Sequence, residues 1–137
     1  MTRREAAGLP HDPVRVVLGD ADGFARRALK EALQDAGLVV IGVSGAASDA
    51  ADLAAFYRPE VLLLDATLPD SLAAVRHLHV MAPEVVCVLL APSVDDDVAI
   101  AGLRAGAQGF LSKATPVEGL ARASGRWSTA RPPSAAT

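Results

Sequence analysis

Cysteine occurs once in the 137 residues, at Cys87. No internal disulfide can form, and no cysteine cluster can hold zinc. Aromatic residues make up only 4% of the chain, so a core has to be aliphatic. No apolar run approaches the roughly 18 residues that cross a bilayer. Residues 1–10 lack the apolar middle of a secretion signal. An excess of positive charge is also missing. The net charge of −3 opposes bulk attraction to nucleic acid or an anionic membrane. A phosphate loop for nucleotides is absent too. Gly42-Val43-Ser44-Gly45 follows a strand-like run but has neither the lysine nor the glycine spacing of such loops, and it reads as a turn. What remains is a cytoplasmic domain of ordinary size, without membrane or nucleic-acid binding of its own.

What is present is a repeating alternation. Apolar, β-branched runs at 14–19, 38–43, 61–64, 85–90 and 109–111 read as strands. Between and after them, 23–36, 48–57, 71–82, 95–105 and 116–124 have helical spacing. Phe24, Ala28, Leu29, Ala32, Leu33 and Ala36 form the expected apolar face of the first helix. Asp22 is placed to cap its start and Gly37 to stop it. Pro59 and Pro83 end the second and third helices, and Asp95, Asp96 and Asp97 oppose the positive end of the fourth. Strand and helix alternating in this way predict an α/β fold of three layers, a five-stranded parallel sheet covered by helices on both faces, and right-handed crossovers leave few topologies for it. Residues 1–13 read as a flexible leader, 14–124 as the domain, and 125–137 as a Pro/Ala-rich linker or tail. Gly119 and Gly125 weaken the last helix, since glycine costs about 1 kcal/mol relative to alanine there.

Two of the strand-like runs close on an aspartate: Asp20 after Val14–Gly19, and Asp65 after Val61–Leu64. In open parallel sheets, ligands bind beyond the carboxyl ends of the strands, where the winding reverses. If the first and third strands are neighbours, the two carboxylates share a pocket that a cation or phosphoryl group could fill.

Three segments carry a family resemblance: Val14 to Asp22, Val61 to Asp70, and Leu103 to Lys113. The last reads Leu-Arg-Ala-Gly-Ala-Gln-Gly-Phe-Leu-Ser-Lys and is the most specific. Over residues 14–123 the chain resembles the receiver domain of a bacterial two-component response regulator, in the CheY-like superfamily, which implies a flavodoxin-like fold with strand order 2-1-3-4-5. The resemblance implies that Asp65 accepts a phosphoryl group from a sensor histidine kinase. It makes Asp20 part of an acidic group holding Mg²⁺, to which Asp65 and the Thr67 backbone carbonyl also contribute. Lys113 pairs with the carboxylate and then with the phosphoryl group, and Phe110 takes the aromatic switch position. Such a domain modifies only itself and is no enzyme in the metabolic sense. Its output surface, the fourth and fifth strands with the last two helices, is also where a homodimer could form.

Two positions depart from the pattern. Ala21 stands where a second consecutive acid is usual, so Mg²⁺ binding is expected to be weak; Asp22, one residue on, is a doubtful substitute. Ala91 stands where a Thr or Ser hydroxyl is usual, and Ser93 beyond Pro92 is displaced by two residues. These departures mark an atypical receiver. They leave open a pseudo-receiver that works by protein contacts without phosphorylation. Other polar residues have plainer readings. His77 and His79 belong to a solvated helix surface, Cys87 to an inert core, and Trp127 with Arg122, Arg126 and Arg131 to a linker or docking tail.

Overall fold

A computed structural model describes residues 13–92 and 95–113. The chain runs β1 (Arg15–Gly19), α1 (Gly23–Asp35), β2 (Val39–Ser44), α2 (Ala47–Tyr57) and β3 (Val61–Asp65). It continues through α3 (Ser71–Met81), β4 (Val86–Ala91), α4 (Asp96–Ala105) and β5 (Gly109–Ser112). All five strands are parallel in one sheet, in the order β2-β1-β3-β4-β5. Element ends differ from the sequence expectation by one residue at several places. One shift is consequential: Asp65 is the last residue of β3, not the first after it. The leader up to residue 12, Ser93, the fifth helix expected at 116–124 and the tail with Trp127 lie outside the described residues.

The aliphatic runs bury both faces of the sheet. Val17, Leu62, Leu64, Cys87 and Leu89 face α2 and α3, where Ala50, Ala51, Ala54, Val75 and Leu78 meet them. Val16, Leu18, Val61, Leu63, Val88 and Leu90 face the other way, onto Leu29 and Leu33 of α1. Each fully buried leucine or valine contributes roughly 1.5–3 kcal/mol, so the central strands β1, β3 and β4 carry most of the stability. The small side chains of α2 let that helix sit close to the sheet. At Gly19 a Cβ would lie 2.7 Å from Leu64 Cδ1 and 2.9 Å from Ala50 Cβ. Glycine there allows β1 to run on to Asp20 beneath α2.

The helix signals act as expected. The Asp22 carboxylate accepts from the Phe24 and Ala25 amides at 2.9 and 3.4 Å. At the other end of α1, Leu38 N–H donates to Leu33 and Gly37 N–H to Gln34, with Gly37 at φ 91°. This Schellman closure favours glycine because of its positive φ. Asp95 caps α4 by accepting from Val98 N at 2.9 Å.

The apolar face of α1 is narrower than its spacing suggests. Leu29 and Leu33 are buried, whereas Phe24 is 84% exposed and Ala28 and Ala36 also face solvent. At about 100° per residue, Phe24 lies about 140° around the helix from Leu29, and Leu33 only about 40°.

Candidate functional site

Parallel register brings the sequence-predicted residues together. Gly19 pairs with Leu64, so Asp20 follows β1 where Asp65 closes β3. Asp65 in turn lies beside Leu90 of β4, and Ala91 beside Ser112 of β5, with Lys113 next in the chain. Three strand ends therefore deliver two carboxylates and an ammonium to one rim of the sheet. Asp20 is fully buried and Asp65 is 4% exposed. Lys113 Nζ stands 2.7 Å from Asp20 Oδ2 and 3.0 Å from Asp65 Oδ2.

Each group is held by its neighbours. Asp20 Oδ1 accepts the Asp22 amide at 2.9 Å, and Asp20 N–H donates to the Ser44 carbonyl at 3.0 Å. Arg26 Nη1 donates to the carbonyls of Asp20 and Ala21 at 2.6 and 3.2 Å. Asp65 Oδ1 accepts both the amide and the hydroxyl of Thr67, at 2.9 and 2.7 Å. Lys113 N–H donates to the Ala91 carbonyl at 2.7 Å, which ties the lysine to the end of β4.

The electrostatics follow from this packing. Burial pushes the Asp65 carboxyl upward, but the Thr67 hydroxyl and amide and the Lys113 ammonium outweigh it, so the group titrates below its ordinary 3.8. Burial likewise pulls Lys113 down, but Asp20 and Asp65 outweigh it and hold the ammonium above its ordinary 10.5. A pair of unit charges about 4 Å apart is worth roughly 4 kcal/mol at an effective dielectric of 20. Lys113 is therefore the charge that lets two carboxylates share a buried rim. Cys87, buried in β4, has its thiol pushed up to about 12 by burial and is unreactive.

The remaining candidates fall as follows. Asp22 spends its Oδ1 on the start of α1, which is the capping role the sequence also allowed it. Ala21 and Ala91 bring methyl groups where the resemblance places an acid and a hydroxyl. Ala91 is nearly buried at the end of β4. Phe110 lies half-buried against α4, where a Cβ at Gly102 would come within 2.6 Å of its ring and 2.8 Å of Leu89. No cluster of three or more His, Cys, Asp or Glu is present among the described residues. The donor set at the rim is thus the two carboxylates of Asp20 and Asp65. That fits a hydrated Mg²⁺, which needs only one or two carboxylates besides water, and does not fit an ion enclosed wholly by protein.

Sequence reasoning missed three features. The Thr67 hydroxyl, and not only its backbone, engages Asp65; the signal was a hydroxyl residue two places after a turn-forming aspartate. Arg26 of α1 reaches back to the Asp20 turn. Beside it opens a cleft of about 510 Å³ lined by Gly23, Phe24, Arg26, Arg27, Lys30 and Val43. The exposed aromatic and the cations i and i+3 apart on α1 were the available signal.

A family model for the response regulator receiver domain matches residues 16–123. A protein-glutamate methylesterase/protein-glutamine glutaminase of Myxococcus xanthus is 39% identical over 108 residues, covering 75% of this chain and 31% of that protein. The DNA-binding transcriptional activator DevR/DosR of Mycobacterium tuberculosis is 33% identical over 113 residues, covering 80% of this chain and 52% of that one. The chain thus spans about a third to a half of the length of these relatives. Among solved structures, the signal receiver domain of the response regulator NarL from Mycobacterium tuberculosis superposes with a TM-score of 0.83 at 24% identity, over 88% of this chain and 100% of that one. The response regulator domain of Thermotoga maritima CheB superposes at 0.77 and 19% identity, over 88% of this chain and 99% of that one. Both likenesses establish the flavodoxin-like fold. With the matched segment covering most of the chain and its strand-end acids gathered around one lysine, the protein belongs to the response regulator receiver domain family of two-component signalling.

Proposed function

We propose that the domain accepts a phosphoryl group on Asp65 from a sensor histidine kinase and passes the change to a partner surface on the β4–α4–β5 side. The observation that carries this reading is the convergence of Asp20, Asp65 and Lys113 on one rim, with Lys113 Nζ 3.0 Å from Asp65 Oδ2. Asp65 is kept ionised and so nucleophilic. Lys113 reaches the rim from a strand end and is the mobile positive charge that can follow a phosphoryl group. Mg²⁺, held by Asp20, Asp65 and the Thr67 carbonyl, would supply neutralisation of the charge that builds up between carboxylate and phosphoryl oxygens. With Ala21 in place of an acid, that ion is held weakly.

A second reading, a pseudo-receiver acting only by protein contacts, draws on Ala21 and Ala91. The first removes a metal ligand. The second removes the hydroxyl that would couple a phosphoryl group to Phe110. Beryllofluoride, a mimic of a carboxylate-bound phosphoryl group, separates the two readings; the DrrB receiver has been captured in a BeF3-activated form. Titrated with Mg²⁺ and beryllofluoride, the domain is expected to shift its amide resonances at 65–67, 91 and 109–113. The Ala21→Asp variant should reach the same end point at about tenfold lower Mg²⁺. Unchanged spectra in both proteins would favour the pseudo-receiver.

A further inference from the structure

The cleft of about 510 Å³ between helix α1 and the edge strand β2 is unbalanced in charge. Arg26, Arg27 and Lys30 bring three cations to it, Phe24 and Val43 bring apolar side chains, and no acid lines it. Arg27 and Lys30 are exposed, and no acid among the described residues pairs with either. The start of α1 adds no free amide at Phe24 or Ala25, because the Asp22 carboxylate already takes both. The Phe24 ring is 84% exposed and Val43 is 41% exposed. Arg26 differs from the other two cations in being fixed. Its Nη1 donates to the carbonyls of Asp20 and Ala21 at 2.6 and 3.2 Å. A Cβ on Gly23 would lie 3.7 Å from Nη2, so the other end of the guanidinium is turned toward the cleft.

We propose that this cleft binds a small phosphorylated aromatic molecule of the nucleotide class. Cations without a counter-charge match a ligand of multiple negative charge, which a phosphate or diphosphate supplies and a single carboxylate does not. The bare ring of Phe24 takes a base by stacking, a contact open to every base because each has a π-face. The volume lies within the range of small-ligand pockets. Fixing Arg26 beforehand spares the ordering cost of one long side chain. With no glycine-rich phosphate loop in the chain, the phosphates fall to side chains. This site is separate from the acid rim, and the proposal stands whether or not Asp65 accepts a phosphoryl group. Since Arg26 also holds the Asp20 and Ala21 carbonyls, an occupied cleft registers in the turn after β1.

The test titrates ADP into the isotope-labelled full chain in magnesium-free buffer of low ionic strength and follows the amide resonances. Shifts are expected over 20–30 and 43–45, with half-saturation at about 1 mM or below, while 65–67 and 113 stay in place. Adenosine and inorganic pyrophosphate, each one half of the ligand, should bind at least about tenfold more weakly. Phe24→Ala should weaken ADP about tenfold, the loss of one base–aromatic stack. The double variant Arg27→Gln, Lys30→Gln should weaken it about tenfold or more, with urea midpoints confirming that both proteins fold. Silent spectra overturn the proposal, as do shifts confined to 65–67 and 113. Pyrophosphate that binds as well as ADP overturns it too, by reducing the cleft to a general anion patch. Undiminished ADP binding in either variant has the same force. A single-stranded oligonucleotide that binds more than about a hundredfold tighter than ADP overturns it in favour of a nucleic-acid surface.

Discussion

Lys113 does most to make the site possible, and its removal should show that in the pH dependence of stability. In the intact domain Asp65 titrates below 3.8. A depressed carboxylate stabilises the fold at pH values above its unfolded pKa, and the contribution fades only as pH falls through the folded value. Stability should therefore hold from pH 7 down to about 4 and then drop. Lys113 has the opposite sign. Its raised pKa contributes below 10.5 and is lost only at more alkaline pH. In Lys113→Met two buried carboxylates face each other without a counter-charge, at a cost of about 3–5 kcal/mol near neutrality. Protonating either one relieves the repulsion, so this variant should gain stability between pH 7 and 5, where the parent stays flat. Urea midpoints across that range check the sign. A variant that tracks the parent would mean that the ammonium is not the charge balancing Asp20 and Asp65. Asp20 and Asp65 were readable because each stands at the end of an apolar run, and Lys113 came only with the family resemblance. The Thr67 hydroxyl was not readable, because a side-chain bond within a turn depends on rotamers that strand periodicity does not encode.

Among the elements, α1 separates what spacing reveals from what it conceals. Leu33 is fully buried against the sheet, and Leu33→Ala should cost about 2–5 kcal/mol. Phe24, which the apolar pattern grouped with it, is 84% exposed, so Phe24→Ala should stay within about 0.5 kcal/mol of the parent. Denaturant midpoints of the pair test the assignment of faces; comparable losses would put Phe24 back in the core. Helix-end signals such as Asp22, Gly37 and Asp95 were legible because each acts within its own turn. The exposure of Phe24 was not, since a helix's rotation relative to the sheet is settled by the few side chains that fit beneath it. Helix α4 holds a second contrast. A methyl at Gly102 would meet the Phe110 ring at 2.6 Å. Gly102→Ala should therefore lower stability by about 1–3 kcal/mol through overpacking, despite the roughly 1 kcal/mol that alanine adds to helix propensity. It should also shift the Phe110 ring resonances. A stabilised variant with an unmoved ring would mean that α4 has room to spare at this seam.

At the scale of the molecule, the parallel sheet and the placing of the site at its carboxyl rim were contained in the alternation of strand and helix, whereas the strand order came with the family resemblance. Five aliphatic runs separated by helices leave few right-handed parallel topologies, and the order β2-β1-β3-β4-β5 sets the ends of β1 and β3 side by side. Less legible were the features that need three dimensions at once: the cleft beside α1, the reach of Arg26 to the Asp20 turn, and the closeness of Gly102 to Phe110. The relatives extend well beyond the matched segment, and the chemistry proposed for this domain comes down to Asp65. Intact-mass measurement after incubation with acetyl phosphate and Mg²⁺ tests that most directly. The account predicts a gain of one phosphoryl group in the parent protein and none in Asp65→Asn. A parent that stays unmodified, or an Asp65→Asn variant that still gains the group, would contradict it.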